Sequence, residues 1–398
     1  MEALHPAARD AFRADHGLAM QAFRAGTVPA RARSKDNTWL RWCDYCDELG
    51  LDPLLDDVDD PIPVIQVFAE RWRTGKIAPR GEPVRSRTVE NALRAIGQTM
   101  ASVGSEDLRF NSGGKLEYRL QQQLKGYKRI DPPPSRVKPI PFTLVNHANL
   151  IANLSNDPLS LATADLATLG FFFLLRPGEH THPPANSTSQ PFRLQDVTFQ
   201  FGNQSYPAAT ADPASIRLAT FATLTFTTQK NGVEGESVGH ARSGHSNTCP
   251  VAALVRRVLH LRAHNAPPTT TLCTVYTTAH TTIPVTSKIL TTTLRSAAAA
   301  LPDLGFLPQD ISARALRAGG AMALLCGQVD SDIIKLVGRW RSDEMLRYLH
   351  LQAYPLMMHL APSMVRGGQF RMILGPGTLV VHSSLPHGLR LRSVRGLA

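Results

Sequence analysis

The apolar positions in the first third of the chain recur at helical spacing. Four runs between residues 30 and 130 carry this pattern, namely TWLRWCDYCDEL, IPVIQVFAERWRTG, SRTVENALRAIGQTMASVG and LEYRLQQQLKGYKR. In the third run Val89, Leu93 and Ile96 fall on one face, and Ser86 stands where an N-cap is expected. The pattern predicts an all-helical domain at 30–130, preceded by an N-terminal segment at 1–29.

A proline-rich stretch follows this helical region. Residues 131–141 read DPPPSRVKPIP, in which five prolines fix φ and remove backbone donors. We therefore predict a semi-rigid linker between two domains. The linker and the helix end before it are basic and are candidates to lie along a nucleic-acid backbone, through Lys125, Lys128, Arg129, Arg136 and Lys138.

The pattern becomes mixed after the linker. Helices are predicted near 142–155 and from about 158 to 175, and β-branched and aromatic residues predict strands within 192–201 and 216–230. Helical patterns return from residue 249 onward. A domain of helices, strands and then helices has an α+β layout, so the whole chain is predicted to be an α+β multidomain protein.

The second domain is expected to span 142–364, followed by a tail at 365–398. The tail has five arginines, no acidic residue, and scattered glycine and proline. Such a composition is typical either of a disordered segment or of a basic arm.

Composition narrows the class of partner. The 398 residues carry a formal net charge of +11, and 43% of them are hydrophobic, which is enough for a real core. The positive charge favours a polyanionic partner, because each phosphate that Lys or Arg neutralises releases a counterion. A basic but inert surface is the alternative.

Neither a secretory signal nor a membrane span is expected. The N-terminus lacks the apolar region of a signal peptide, and the most apolar run, LATLGFFFLL, is too short to cross a bilayer. The cysteines are odd in number and do not have the spacing of a disulfide scaffold; they are Cys43, Cys46, Cys249, Cys273 and Cys326. We expect a reduced, intracellular protein without a membrane partner, nuclear if its host is eukaryotic.

Metal-binding patterns are weak. Cys43 and Cys46 form a C-x-x-C inside a helical run, but no second Cys or His pair follows nearby to complete a zinc site, which favours helix packing. The histidine-rich stretches also lack acidic or cysteine partners at fixed spacing; they hold His180 with His182, and His240 with His245. No metal or other cofactor is expected.

Three arginines lie beside the predicted helix start at Ser86. They are Arg80, Arg85 and Arg87 in the stretch RGEPVRSR. Because the backbone N–H groups of a helix start also favour phosphate, this stretch is a candidate DNA contact. A solvated charged face is the alternative.

Charged residues stand in the second domain where apolar or turn residues are expected. In FFFLLRPGEH, Arg176 and Glu179 end the most apolar run of the chain. Glu179 can hold Arg176 in one rotamer by a charge-assisted bond, and an oriented guanidinium can grip a phosphate. Lys230 falls in TFTTQKNG at a predicted hairpin tip, where an ordinary turn lysine is the alternative.

Two adjacent glycines interrupt a later helical pattern. The stretch SARALRAGGAMALL places Arg314 and Arg317 three residues apart on one helix face. Gly319 and Gly320 together cost about 2 kcal/mol of helix propensity relative to alanine. Close approach by the backbone of another helix, or by a bulky ligand, would explain them.

The stretch GRWRSDEMLRYLHL at 338–351 predicts a turn followed by a short helix. Ser342 is a good N-cap, and Asp343 and Glu344 suit the positive end of the helix dipole. Tyr348 then lies about two turns into the helix. Taken alone, it reads as a half-buried core tyrosine.

The order of these landmarks resembles the tyrosine recombinase (phage-type integrase) family. The R-P-G-E at 176–179, the hairpin lysine, the R-A-L-R-A-G-G at 314–320 and the G-R-W turn follow one another as they do in that family. More narrowly, the Leu-Arg-x-Gly-Gly run and the Gly-Arg-Trp turn look like those of Crypton- and DIRS-type mobile-element recombinases. The resemblance covers roughly residues 30–360 and is strongest over 312–351.

This resemblance implies a fold and a reaction. The helical domain would be a core-binding domain that clamps DNA, and 142–364 would be a mixed α/β catalytic domain. Tyr348 would attack a DNA phosphodiester to give a 3′-phosphotyrosine link and a free 5′-hydroxyl, without ATP or metal. Arg176 and Arg317 would stabilise the transition state, Lys230 would protonate the leaving oxygen, and Glu179 would orient Arg176.

The sequence departs from the family at two positions. Arg314 stands where the family usually has His, and arginine cannot accept a proton at neutral pH. Arg339 falls at the family's next His or Trp position and Trp340 follows it, so Trp340 is a candidate phosphate donor.

The resemblance further implies double-stranded DNA as partner and a homo-tetramer on two duplexes. Two alternatives remain open. One is a catalytically silent DNA-binding protein that retains the recombinase fold, and the other is a type IB topoisomerase, which the Gly-Gly helix and the G-R-W turn disfavour.

Overall fold

The computed structural model describes residues 5, 8–27, 29–133, 138–185, 187, 190–227, 235–277 and 281–340. The chain divides between residues 135 and 136 into two compact units, called unit 1 and unit 2 below. Unit 1 is helical and unit 2 combines helices with antiparallel strands, so the predicted α+β class is confirmed. Several predicted features lie outside the described residues: Arg136, Lys230 with its turn, the helix from Ser342 with Tyr348, and the tail 365–398.

Unit 1 is built from helices α1 (Arg9–Ala25), α2 (Pro29–Leu49), α3 (Ile62–Arg73), α4 (Ser86–Ser102) and α5 (Tyr118–Ile130). The four helical runs predicted between residues 30 and 130 are confirmed. α1 lies in the N-terminal segment, for which the pattern predicts no element.

The core of unit 1 is aromatic. The Phe68 ring lies edge-on to Trp42 and to Tyr45, with ring centroids 5.1 Å and 5.4 Å apart. Cys46 is wholly buried in the same cluster, and burial raises the pKa of its thiol to about 12. Such a thiol is a packing group, as the interpretation of the C-x-x-C favours. Among the described residues, no group of three or more His, Cys, Asp or Glu side chains could hold a metal ion.

The start of α4 is bonded to the end of α5. The Asp131 carboxylate accepts the Ser86 backbone N–H at 3.0 Å and the Ser86 Oγ–H at 2.5 Å, and it pairs with Arg73 at 2.5 Å. The predicted N-cap is therefore wrong: α4 begins at Ser86, after Arg85, and Ser86 bonds to Asp131 instead. Because a carboxylate of the protein already occupies the Ser86 N–H, that group is not available to a phosphate at this helix start.

Unit 2 contains α6 (Phe142–Ser155), α7 (Pro158–Phe172), α8 (Pro177–His180), α9 (Pro213–Arg217), α10 (Pro250–Ala263), α11 (Ser287–Ala300), α12 (Arg314–Cys326) and α13 (Ser331–Gly338). Its strands are β1 (Val197–Phe201), β2 (Gln204–Pro207), β3 (Phe221–Phe226), β4 (Glu236–Ala241), β5 (Thr274–Tyr276) and β6 (Thr282–Pro284). The first four form an antiparallel sheet in the order β2-β1-β3-β4, and β5 pairs with β6. The predicted strands are shorter than expected, because α9 takes the start of the second one.

α7 is the central helix of unit 2. It packs against α6, α10, α11 and α12, and every residue from Ala162 to Phe171 is buried. A helix that is apolar on all sides is stable only when neighbours cover it all round. It ends at Phe172, earlier than predicted, and Leu174 then takes a left-handed conformation with φ of 49°. In the described part of the chain, no helix is long and apolar enough to cross a membrane.

The two glycines of α12 allow backbones to approach closely. A Cβ added at Gly320 would collide with the carbonyl oxygen of Phe171 in α7, and one at Gly319 would collide with the carbonyl oxygen of Ile140. The helix approach considered in the sequence analysis thus explains Gly320, and the first residues of unit 2 explain Gly319. The Gly320 contact places α12 directly on the end of α7, and the Gly319 contact places it on the segment that precedes α6.

Candidate functional site

Side chains from three distant parts of unit 2 meet at the C-terminal end of α7. The carbonyl oxygen of Leu174 accepts from Arg317 Nη1 at 2.5 Å and from Arg339 Nη2 at 3.2 Å. Arg339 Nη1 also donates to the carbonyl oxygen of Phe173, at 3.4 Å. Carbonyl groups at a helix end have no intrahelical donor and carry the negative end of the helix dipole. They therefore stabilise the guanidinium groups of Arg317 and Arg339, two residues that are only 4% and 6% exposed.

One carboxylate joins two of the arginines. Glu179 Oε1 lies 2.9 Å from Arg176 Nη1, and its Oε2 lies 3.1 Å from Arg339 Nη2. The Arg176 backbone N–H also donates to Glu179 Oε2, at 2.7 Å. Burial lowers the pKa of Arg339, and the charge of Glu179 opposes that shift. Arg176 is the more accessible residue of its ion pair with Glu179, with 30% of its side chain exposed against 12% for Glu179.

The G-R-W turn has a specific geometry. Arg339 adopts a left-handed conformation with φ of 57°, and the Trp340 ring covers Gly338 so closely that a Cβ there would collide with it. The guanidinium carbon of Arg317 lies 4.2 Å from the centroid of the Trp340 ring. Arg317 Nη2 also donates to the carbonyl oxygen of Gly338. The turn thus directs Arg339 towards Glu179 and the indole towards Arg317.

The candidate residues of α12 and of the turn differ in burial and in hydrogen-bond partners. Arg314, the first residue of α12, is exposed, whereas Arg317 one turn later is buried. Arg339 aligns with a family position at which a phosphate contact is expected, but its guanidinium bonds to Glu179 and to carbonyl groups of the protein. Its geometry fits a group that positions Glu179.

The candidate DNA-contacting residues of unit 1 are exposed: Arg80, Arg85, Arg87, Lys125, Lys128 and Arg129. The bonds between Ser86 and Asp131 bring the residues that flank the start of α4 towards the last turn of α5. Exposed cations from two helices therefore gather at that end of unit 1. In unit 2, Lys138 is also exposed but pairs with Asp310 at 2.5 Å, so part of its charge is neutralised.

Two histidines that the sequence analysis considered only as weak metal ligands lie at this site, His180 buried and His240 half-buried. His180 Nδ1 lies 2.9 Å from the carbonyl oxygen of Arg176, and the ring of His240 in β4 lies edge-on to the Phe173 ring, with ring centroids 4.7 Å apart. Burial lowers the pKa of both, that of His180 to about 4. The only sequence signal for His180 is its position four residues after Arg176, which places it over the same turn.

The lowered pKa of His180 predicts acid sensitivity. Between pH 6.5 and 4 the unfolded chain binds a proton at this residue and the folded chain does not, so the free energy of unfolding falls as the pH falls through that window. We expect His180 to account for a loss of about 2 kcal/mol between pH 7 and pH 4.5. Urea unfolding of the wild type and of His180→Asn at both pH values measures this loss, which should be smaller in the variant. Equal losses of stability in the two proteins would contradict the prediction.

Similarity to known proteins is found among solved structures. No protein-family model matches the chain. Nor does any curated protein. Among solved structures, the Tn1549 transposon integrase in complex with circular intermediate DNA aligns with 77% of this chain and 84% of that chain, at 11% sequence identity and a TM-score of 0.37.

Proposed function

We propose that the protein is a site-specific DNA strand-transfer enzyme of the tyrosine recombinase type, with Tyr348 as its nucleophile. The observation that supports this most is the convergence of Arg176 and Arg317, which are 141 positions apart, on one helix end. Arg317 donates to the carbonyl oxygen of Leu174, two residues before Arg176. These are the two arginines that the order of motifs assigns to the phosphate.

The proposed reaction is the one that the resemblance to tyrosine recombinases implies. The Tyr348 oxygen attacks the phosphorus and gives up its hydroxyl proton to water, the bond from phosphorus to the 5′-oxygen breaks, and protonated Lys230 gives that oxygen a proton. Arg176, held by Glu179, and Arg317 stabilise the negative charge of the pentacoordinate transition state. Rejoining is the reverse reaction with another 5′-hydroxyl, so the bond energy is conserved and neither ATP nor metal is required.

Arg314 and Trp340 complete the proposed site. Arg314 is exposed at the start of α12, one turn from Arg317, where it donates to the phosphate but cannot accept a proton. The contact of the Trp340 ring with Arg317 holds that guanidinium in place. Arg339 positions Glu179.

Double-stranded DNA is the proposed substrate, and the exposed cations of unit 1 are its proposed electrostatic contacts. Each phosphate neutralised makes binding more salt-dependent, so affinity should fall steeply with ionic strength. We also propose a homo-tetramer on two duplexes inside the cell, in the nucleus of a eukaryotic host. The narrower likeness to Crypton- and DIRS-type recombinases belongs to the same proposal.

A second candidate function is DNA binding without catalysis. One observation favours it: both terminal nitrogens of Arg317 bond to carbonyl groups of the protein, and the usual His is Arg314. A guanidinium committed to the backbone, without a proton acceptor nearby in the motif, is consistent with a protein that grips DNA without cutting it.

Covalent capture of DNA separates the two functions. The full-length protein is incubated with nicked suicide duplexes taken from the DNA that flanks its gene, and adducts are resolved on a denaturing gel. We expect an adduct that Tyr348→Phe abolishes while duplex affinity is kept. Tyr354→Phe, six residues further on, is the matched control and should still form the adduct.

Two other results of this assay would contradict the proposal. Duplex binding without an adduct would overturn strand transfer in favour of the binding protein. An adduct that survives Tyr348→Phe would show that the nucleophile is a different residue.

A further inference from the structure

The carbonyl groups at the end of α7 are bonded by side chains rather than by backbone donors alone. Those of Phe173 and Leu174 accept from arginines. The carbonyl oxygen of Arg176 accepts from the Glu179 N–H and lies 2.9 Å from His180 Nδ1. The chain that leads from α7 into Arg176 is therefore held at successive peptide groups.

The surroundings of His180 determine which of its nitrogens carries the proton. The residue is 2% exposed, and its Nε2 has no hydrogen-bond partner among the described residues. That nitrogen faces Gly170, where an added Cβ would lie 2.8 Å from it, and the Leu316 side chain lies against the same glycine. An apolar wall offers no acceptor for an Nε2–H, so the neutral ring keeps its proton on Nδ1 and donates it to the Arg176 carbonyl.

We propose that His180 is a positioning residue that orients the backbone of Arg176 for contact with the scissile phosphate. The inference rests on the proposed strand-transfer function and adds a residue to that site. Glu179 holds Arg176 by its backbone N–H and its guanidinium, and His180 holds the carbonyl oxygen of the same residue. To act on the transition state, a guanidinium must be held within about 0.5 Å of its productive position. A freed Arg176 backbone therefore lowers the rate.

The alternative is that His180 only fills space between α7, α8 and α12. Three substitutions separate the two roles. His180→Asn retains an N–H donor close to the Nδ1 position, His180→Leu retains most of the volume without a donor, and His180→Gln moves the donor one bond further out. The glutamine variant replaces the leucine variant if leucine prevents folding, since both lack a donor at the required place.

The test is the single-turnover rate of adduct formation at saturating enzyme on the suicide duplex, together with duplex affinity. We expect His180→Leu, or His180→Gln, to slow adduct formation by about 10–100-fold with unchanged affinity. His180→Asn should recover most of the wild-type rate. Circular dichroism and thermal unfolding confirm that each variant is folded.

Two results would overturn the proposal while strand transfer stands. One is a wild-type rate in the variant without the donor, and the other is an asparagine variant that folds but is as slow as leucine, which points to packing. A wild-type protein that binds the duplex and forms no adduct overturns strand transfer itself, and the role of His180 in it. Adduct formation by the wild-type protein thus shows whether strand transfer itself fails or only the positioning role of His180.

Discussion

Glu179→Ala is expected to destabilise unit 2 by about 3–5 kcal/mol and to abolish adduct formation. Glu179 is the carboxylate that compensates Arg339, whose side chain is 2% exposed, and it also bonds to the guanidinium and the N–H of Arg176. Its removal takes away the carboxylate that hydrogen-bonds to this buried cation, and it frees Arg176. Urea unfolding measures the first effect, and the suicide-duplex assay measures the second.

The control for this prediction is a glutamate in an exposed pair. Glu90 lies 2.9 Å from Arg94 on α4, and both side chains are about half exposed. We expect Glu90→Ala to change stability by less than about 1 kcal/mol. Glu179→Gln keeps the shape and acceptor oxygen of the side chain, so it should fold better than alanine while still forming adducts slowly. A stability change in Glu179→Ala as small as that of Glu90→Ala would contradict the role of the carboxylate.

Gly320→Ala is expected to destabilise unit 2 by about 1–3 kcal/mol or more, although alanine is the better helix former. The new Cβ would collide with the carbonyl oxygen of Phe171, and a backbone atom of a buried helix cannot move aside as a flexible side chain does. α12 would have to shift from α7. Because Arg317 lies on α12 and bonds to Leu174 just beyond α7, that shift should also slow adduct formation.

The same substitution at another helical glycine should stabilise the protein instead. Gly126 lies inside α5 with nothing within 4 Å of an added Cβ, so Gly126→Ala should stabilise its helix by about 0.5–1 kcal/mol. Urea unfolding of both variants measures their changes in stability. The fragments from pulse proteolysis show which of the two units has changed. A neutral or stabilising Gly320→Ala would show that α7 and α12 are less closely packed than the structure indicates.

The helices were predictable because their signals are local. α6 begins and ends at the residues predicted for it, and the four helical runs of unit 1 are found where apolar residues recur at helical spacing. The strands were less predictable. The stretch 216–230 is apolar and β-branched, yet the Asp212 side chain caps a short helix, α9, that takes its first residues.

The candidate site was predictable as a set of residues and not as a geometry. The contact of Glu179 with Arg176 follows from their spacing, since residues three apart meet on one turn. The contact of Glu179 with Arg339 crosses 160 positions, and no local pattern could indicate it. The role of His180 was equally hidden, because whether a histidine donates to a carbonyl depends on which groups surround it.

By itself, the sequence determined the helical first unit, the α+β class, and the order of motifs on which the proposed chemistry rests. These are set by spacing, propensity and residue type, which act over a few turns of chain. Only the tertiary structure decided that Arg339 is buried beside Glu179, that Gly319 and Gly320 admit neighbouring backbones, and that carbonyl groups at the end of α7 gather the arginines. Burial and long-range hydrogen bonds decide these points, and they arise only when segments far apart in the chain pack together.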